Sequence, residues 1–285
     1  MTAIEELIKQ YEPKTIEETK MALRELLQEI VLIGLSRGDF FSHASFYGGT
    51  ALRIFYSLNR YSEDLDFTLN EKNELFSIIP YIKKIQEVAL SYGLDIDIQT
   101  KEKKIETAIE SAFAKLNTYQ TFIKLNLDAL NIKSLHKDEV IKVKFEIDCN
   151  PSLGFIIESK WISSPEFARV NVLDLSSLFA GKIHAILCRT YKSNVKGRDY
   201  YDFLFYIKKN VKPNMNYLKN KLIESKKLDF DSKFDNEILK KMLKEKFESV
   251  DFNQVRDDAQ RFVYHGEDLS YYSKELFIDM INKLD

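Results

Sequence analysis

One stretch constrains this chain more than any other, the residues from Phe46 to Leu69. It opens on the pair Gly48-Gly49 followed by Thr50, and it closes on Ser62, Asp64 and Asp66 at alternate positions. Residues 64–69 read Asp-Leu-Asp-Phe-Thr-Leu, the period-two pattern of a half-buried strand. On such a strand Asp64 and Asp66 point to one face, roughly 6–7 Å apart along the chain, while Leu65, Phe67 and Leu69 enter a core. Two carboxylates that close repel unless a cation lies between them. Mg²⁺ (or Mn²⁺) suits the position, because it takes a few carboxylate oxygens and completes its shell with water and phosphate. The other end of the stretch suits the phosphate. Glycines let a ligand approach the backbone, and the helix that Thr50-Ala-Leu-Arg-Ile-Phe begins offers free N–H groups and a positive dipole end. Alone, Gly-Gly is a turn and Asp-x-Asp a solvated acidic face, as most carboxylates are. Within one helix-length crossover they make the two ends of a cradle.

Composition narrows the class. The chain has 285 residues, 45% of them apolar, with 20 Phe and 15 Tyr, enough for one large domain or two small ones. A formal net charge of −2 argues against a globally basic nucleic-acid binder but leaves room for a local basic groove. Cys149 and Cys188 stand outside any CxxC spacing, which predicts free thiols and a reducing, cytoplasmic setting. His43, His136, His184 and His265 are scattered without zinc-ligand spacing. Residues 1–30 carry no apolar signal region, and no run of 18 apolar residues predicts a membrane span.

Along the chain, Thr15-Ile-Glu-Glu18 reads as a capping box opening a long helix that Gly38 would close. A short strand over 45–47 leads into Gly48. Residues 75–92 read as an amphipathic helix ending at Gly93, and 95–99 and 122–127 as strands. In 140–148, Ile141, Val143, Phe145 and Ile147 make one face; Lys142, Lys144, Glu146 and Asp148 make the other. That is either an ordinary half-solvated strand or, beside the Asp-x-Asp strand, the source of a third carboxylate, Glu146 or Asp148, with Lys144 near a phosphate. Short strands follow at 156–161 and 168–173, and from Asp174 onward nearly everything reads as helix, including 217–226, 237–247, 255–262 and 274–284. Lys182 lies on an apolar helix, where a lysine ordinarily snorkels to water. Asp199 and Asp202, at i and i+3, share a helical face on which they can simply pair with Lys or Arg. Tyr191, Lys192, Lys196 and Arg198 form a basic, aromatic patch of the kind that tracks a nucleic-acid backbone.

Gly48-Gly49-Thr50-Ala51-Leu52-Arg53 and Ser62-Glu63-Asp64-Leu65-Asp66-Phe67 together resemble the first motif of the nucleotidyltransferase fold, and specifically that of the AbiEii/AbiGii toxin family of bacterial toxin–antitoxin and abortive-infection systems. The segment from Leu178 to Arg189 resembles that family's lysine motif, and Arg198-Asp199-Tyr-Tyr-Asp202 its final Arg-Asp-x-x-Asp motif. The resemblance covers residues 40–210 clearly and the C-terminal helices loosely.

The resemblance implies an α+β chain of two lobes: a nucleotidyltransferase-like mixed sheet with flanking helices over residues 1–173, and a helical lobe over 174–285 that completes a cleft between them. It implies transfer of a nucleoside monophosphate from an NTP to an acceptor hydroxyl on RNA, such as a tRNA 3′ end, by a cytoplasmic monomer countered by a separately encoded antitoxin. Asp64 and Asp66 would hold the metal. Gly48, Gly49, Thr50, Ser62, Arg53 and Lys144 would serve the triphosphate, with Arg53 otherwise a surface ion pair. Lys182 would meet charge in the transition state, Glu146 or Asp148 would help activate the hydroxyl, and Asp202 would orient Lys182 or bind base or sugar. Two other classes share the same cradle: a non-catalytic nucleotide or RNA sensor, and a phosphotransferase moving the γ-phosphate. No Walker lysine or kinase signature separates them.

Overall fold

The computed structural model describes residues 3–101, 118–126, 140–189, 195–263 and 267–284. Tyr191, Lys192, His136 and His265 lie outside these residues. The fold is mixed α/β, and the chain divides into two compact units. The first comprises residues 1–55, 63–151 and 158–172; the second gathers 56–62, 152–157 and 173–285.

The first unit is built on a seven-stranded sheet of order β3-β4-β5-β2-β1-β7-β6. Its strands are β1 (Ala44–Tyr47), β2 (Asp64–Leu69), β3 (Ile96–Lys101), β4 (Thr118–Asn126), β5 (Val140–Asp148), β6 (Ile157–Ile162) and β7 (Ala168–Leu173). The Asp-x-Asp strand β2 lies in the middle, antiparallel to β1 and parallel to β5. Alternation in the sequence becomes alternation in burial. Leu65, Phe67, Val143, Phe145 and Ile147 are buried, while Asp64, Asp66, Lys144, Glu146 and Asp148 are half-buried. On the apolar face Phe67 meets Phe145 at 4.6 Å between ring centroids and Phe46 and Phe40 at 5.1 Å. These offset and edge-on pairs add about 0.5–1.5 kcal/mol each beyond their buried area.

Five helical segments accompany the strands in the first 100 residues, four of them α-helices: α1 (Ala3–Lys9), α2 (Ile16–Arg37), α3 (Gly48–Tyr56) and α4 (Ile79–Ser91), with a 3₁₀ turn at Phe40–Ser42. The capping box at α2 is present: Thr15 Oγ1 accepts the Glu18 N–H at 3.1 Å, and Glu18 Oε2 accepts the Thr15 N–H at 3.1 Å. Leu23, Leu26, Leu27, Ile30, Val31, Leu32 and Ile33 bury the helix almost all round. Helices α2 and α4 pack closely at Gly34, where a Cβ would come within 2.6 Å of Ile85 Cα.

Two expectations shift. Gly38 caps α2 with φ −87°, and the left-handed residue is Asp39 at φ 60°. The Gly38 N–H still bonds back to Gly34 and Leu35, so the turn falls one residue later. The helix expected from Leu75 begins only at Ile79, because Pro80 has no N–H and restricts its predecessor; proline is tolerated in a first turn and not beyond it.

The second unit is helical: α5 (Leu175–Cys188), α6 (Gly197–Lys208), α7 (Met215–Glu224), α8 (Asn236–Ser249), α9 (Phe252–Gln260) and α10 (Lys274–Ile281). Its N-caps are short polar side chains just ahead of each expected start. Asp174, Asn214, Asp235 and Ser273 each accept the N–H three residues on, satisfying donors that a helix start leaves open. The core is aromatic: Tyr200, Phe203, Phe247 and Phe277 are fully buried, and Phe179 stacks on Tyr206 at 4.5 Å. Helix α6 lies so close to α9 that a Cβ on Gly197 would overlap Val255 O. Cys149 and Cys188 are free thiols, as expected. Among the described residues no helix is long and apolar enough to cross a membrane.

Candidate active site

The polar face of the β2–β5 pair is set by register. Asp64 lies opposite Lys144, Asp66 opposite Glu146, and Thr68 opposite Asp148. Paired residues on neighbouring strands project to the same face, so Glu146, rather than Asp148, is the direct neighbour of Asp66. Lys144 Nζ pairs with Glu146 Oε1 at 2.8 Å, both side chains about a third exposed or less. Asp148 Oδ1 accepts the Asn150 N–H at 3.2 Å and so shapes the turn after β5.

The glycine turn abuts the same face. Gly48 has φ +85°, and a Cβ there would overlap the Asp66 carboxylate. Only glycine allows both that backbone conformation and that approach. Helix α3 therefore starts directly against Asp66. Thr50 is buried and its hydroxyl donates to Asp64 O at 2.5 Å, tying the first turn of α3 to the start of β2. Its hydroxyl thus positions the cradle. Arg53, expected near a phosphate, is held elsewhere: Nε and Nη2 reach Glu25 Oε1 and Oε2 at 2.7 and 3.3 Å. The pair is 21% and 10% exposed, so of the two roles considered for Arg53 the structure shows the ion pair, and a largely buried one. Position 53 faces α2, where an unpaired Glu25 carboxylate would be costly to bury. Ser62 is buried and groups with the second unit.

Does this face suit a divalent cation? Asp64 and Asp66 share it, and Gly48 leaves room where a side chain would press on Asp66. Among the described residues no three His, Cys, Asp or Glu side chains gather to cage a metal by themselves. Such a site fits an ion that takes two carboxylates and completes its shell with water and phosphate oxygens, and does not fit a closed structural metal.

The second unit holds a buried charge network. Arg60 grips Asp202 with two bonds, Nε to Oδ1 at 2.6 Å and Nη2 to Oδ2 at 2.7 Å, the side chains being 3% and 0% exposed. Lys182 Nζ lies 2.8 Å from both Asp199 Oδ1 and Asp202 Oδ2. Arg189 pairs with the other oxygen of Asp199. Three cations thus meet two carboxylates. Two of the three Lys182 N–H groups are directed at Asp199 and Asp202, and the side chain is 15% exposed. Burial pushes the Asp202 carboxyl upward, but Arg60 and Lys182 outweigh it and hold its pKa below the ordinary range. Asp202 has no exposure, and both its oxygens are held, Oδ1 by Arg60 and Oδ2 by Arg60 and Lys182. Arg60 was missed by sequence reasoning; it sits 142 residues from its partner, and its neighbours Asn59 and Tyr61 carry no motif. Of the expected basic patch, Arg198 lies over the Phe262 ring at 4.0 Å and Lys196 is exposed.

Residues 30–277 match the family described as nucleotidyl transferase AbiEii toxin, type IV TA system. No curated protein sequence matches the chain significantly. A nucleotidyltransferase candidate from H. pylori superposes with a TM-score of 0.50 at 17% identity, over 93% of this chain and 92% of its own, which supports the fold. JHP933 from Helicobacter pylori gives 0.49 at 16% identity over 93% and 90%. The nucleotidyltransferase toxin MenT4 from Mycobacterium tuberculosis H37Rv gives 0.48 at 14% identity over 98% and 86%. Because the family match runs from within α2 to within α10 and takes in the glycine turn, the Asp-x-Asp strand and the Lys182 network alike, the chain belongs to the AbiEii nucleotidyl transferase toxins of type IV toxin–antitoxin systems.

Proposed function

We propose that this toxin transfers a nucleoside monophosphate from an NTP to an acceptor hydroxyl on RNA, such as a tRNA 3′ end, releasing pyrophosphate. The observation that carries the reading is the placement of Gly48 against Asp66 on the face that Asp64 and Glu146 share. It sets an anion-binding helix start beside a pair of carboxylates suited to a metal. Asp64 and Asp66 would hold Mg²⁺ or Mn²⁺, which when bound neutralises phosphate charge and aligns the attacking and leaving oxygens.

The backbone of Gly48 and Gly49 receives the triphosphate, aided by the dipole of α3, with Ser62 a further hydroxyl donor. The acceptor oxygen attacks the α-phosphorus as the bond to the β-phosphate oxygen breaks. Glu146 takes the hydroxyl proton; its place beside Asp66 favours it over Asp148, and Lys144 holds it in line. Lys182, aimed by Asp199 and Asp202, stabilises charge on the departing pyrophosphate. In this reading the protein works as a cytoplasmic monomer, restrained by a separately encoded antitoxin.

Incubation with each α-³²P- and γ-³²P-labelled NTP and total RNA tests it. Label from the α position on RNA is the expected result, abolished in Asp66→Asn. Label from the γ position on any acceptor would make the protein a phosphotransferase. No transfer, with NTP still bound, would make it a sensor.

A further inference from the structure

We propose that a cavity in the second unit, separate from the charged network of Lys182, binds one nucleotide unit with guanine as the preferred base. The cavity has a volume of about 430 Å³ and opens between the segment at Ser57–Asn59, helix α6 and the segment from Glu267 to Tyr272. That is within the size range of small-molecule sites, which runs from about 300 to 1,000 Å³.

Three chemical features converge on it. Aromatic walls come from Tyr201, Phe205 and Tyr271; Tyr271 is 55% exposed and its ring is braced edge-on by the buried Tyr272 at 5.0 Å. Lys208 and Lys209, both exposed, stand on the same lining, with Lys209 Nζ 5.1 Å from the centre of the Phe205 ring. The third feature is the carboxylate of Glu267, half-buried and fixed by Tyr201, whose Oη lies 2.9 and 3.2 Å from its two oxygens.

A ligand that answers all three has a flat ring to stack, an anionic group for the lysines and adjacent N–H donors for a carboxylate. A nucleotide has that chemistry. Guanine fits best, because its N1–H and N2–H lie side by side and match the two oxygens of one carboxylate. A simple organic cation would use the aromatic faces and Glu267, but two lysine ammonium groups on the same lining oppose it. The unit can be a free nucleotide or one residue of a single-stranded RNA; stacking and phosphate contact serve both.

The cavity wall is also tied to the network behind it. Tyr201 Oη lies 2.8 Å from Asn59 O, and the next residue on each side, Asp202 and Arg60, forms the buried ion pair. Two of the three backbone segments that shape the cavity therefore also carry the ion pair that holds Lys182.

Calorimetric titration of the full chain in EDTA, with GMP, CMP, AMP, UMP and the pentaribonucleotide UUGUU, tests the proposal without reference to transfer activity. GMP is expected to bind roughly ten-fold or more tighter than UMP. Tyr271→Ala should weaken GMP by a similar factor, the size of one lost stacking contact, and Tyr271→Phe should retain it. Glu267→Gln should erase the preference for GMP over UMP, and neutralising Lys208 and Lys209 together should flatten the salt dependence. Tighter binding of UUGUU than of GMP assigns the site to an RNA strand, and equal binding assigns it to the free nucleotide. Absence of saturable GMP or UUGUU binding, or GMP binding that Tyr271→Ala leaves unchanged, overturns the proposal. So does displacement of GMP by tetramethylammonium or spermidine, which would identify a cation site.

Discussion

Lys182 and Arg60 illustrate how differently two cations on one network can act. Arg60 is 3% exposed; Nε and Nη2 bond to Asp202, and Nη1 donates to Tyr61 O at 2.8 Å. Removing it leaves a carboxylate without exposure against Lys182 alone, and breaking a buried pair from one side costs about 3–5 kcal/mol. Arg60→Ala is therefore expected to lower unfolding stability by about that amount in urea denaturation. Replacing both partners by apolar residues, Arg60→Met with Asp202→Leu, should recover much of it. Lys182 is different, because one N–H remains beyond Asp199 and Asp202. Lys182→Ala is expected to reduce turnover far more than NTP affinity, the signature of a contact made in the transition state. Equal losses in both would assign Lys182 to binding or to structure. A reason to single out Lys182 was legible in the sequence, in an apolar helix that gives lysine no packing role. No such reason was legible for Arg60, since a lone arginine in a loop looks the same whether it reaches a buried carboxylate or water.

At the level of elements, the pairing of β2 with β5 brings the candidate site residues Asp64, Asp66 and Glu146 onto one face. Periodicity alone told which residues of each strand share a face; it did not tell whether Glu146 or Asp148 stands beside Asp66, because register is a property of two strands. The structure sets Glu146 opposite Asp66. Asp66→Asn is expected to abolish transfer, because it removes a carboxylate proposed to hold the metal, and like charges in that arrangement disfavour the fold slightly. In EDTA it should leave the melting temperature at or above that of the wild type. Mg²⁺ with NTP should raise the wild-type melting temperature by mass action and the variant's much less. A variant melting well below the wild type in EDTA would make Asp66 a structural residue. Gly48 carries a sharper expectation. Gly48→Ala meets both a positive φ and the Asp66 carboxylate, and a left-handed residue with a side chain costs about 1–3 kcal/mol. Its loss should appear in stability and in NTP binding together.

At the scale of the molecule, the two units carry titratable groups of opposite pH dependence. In the first, burial and then the neighbouring Glu25 push the Glu29 carboxyl up to about 8, against an ordinary value of 4.5. Tyr11 Oη lies 3.3 Å from Glu29 Oε2. Because the folded pKa is the higher, Glu29's contribution is fully present below about pH 4.5 and is lost as pH rises toward 8. In the second unit, Asp202 has the lower folded pKa, so its contribution holds above the ordinary aspartate value and is lost as pH falls below it. Thermal stability should therefore peak on the acid side of neutrality and decline between pH 5 and 8.5. Glu29→Gln should flatten that decline, raising the melting temperature at pH 8.5 by a few degrees and leaving it unchanged at pH 5. An unaltered slope in the variant would remove Glu29 from the account.

What the sequence by itself determined is what local rules can carry. Alternation placed β2 and β5 with their polar faces, the Thr15–Glu18 box started α2, and the run from Gly48 to Asp66 joined a glycine turn to an Asp-x-Asp strand through one short helix. Each depends on residues a few positions apart, where spacing is geometry. The tertiary structure decided the rest. It drew Arg53 to Glu25 and Arg60 to Asp202, set Glu146 opposite Asp66 by register, and closed Asp202 away from solvent. Those outcomes turn on which charges are desolvated together, and desolvation belongs to the packed chain, since a carboxylate has no environment until the segments around it are in place.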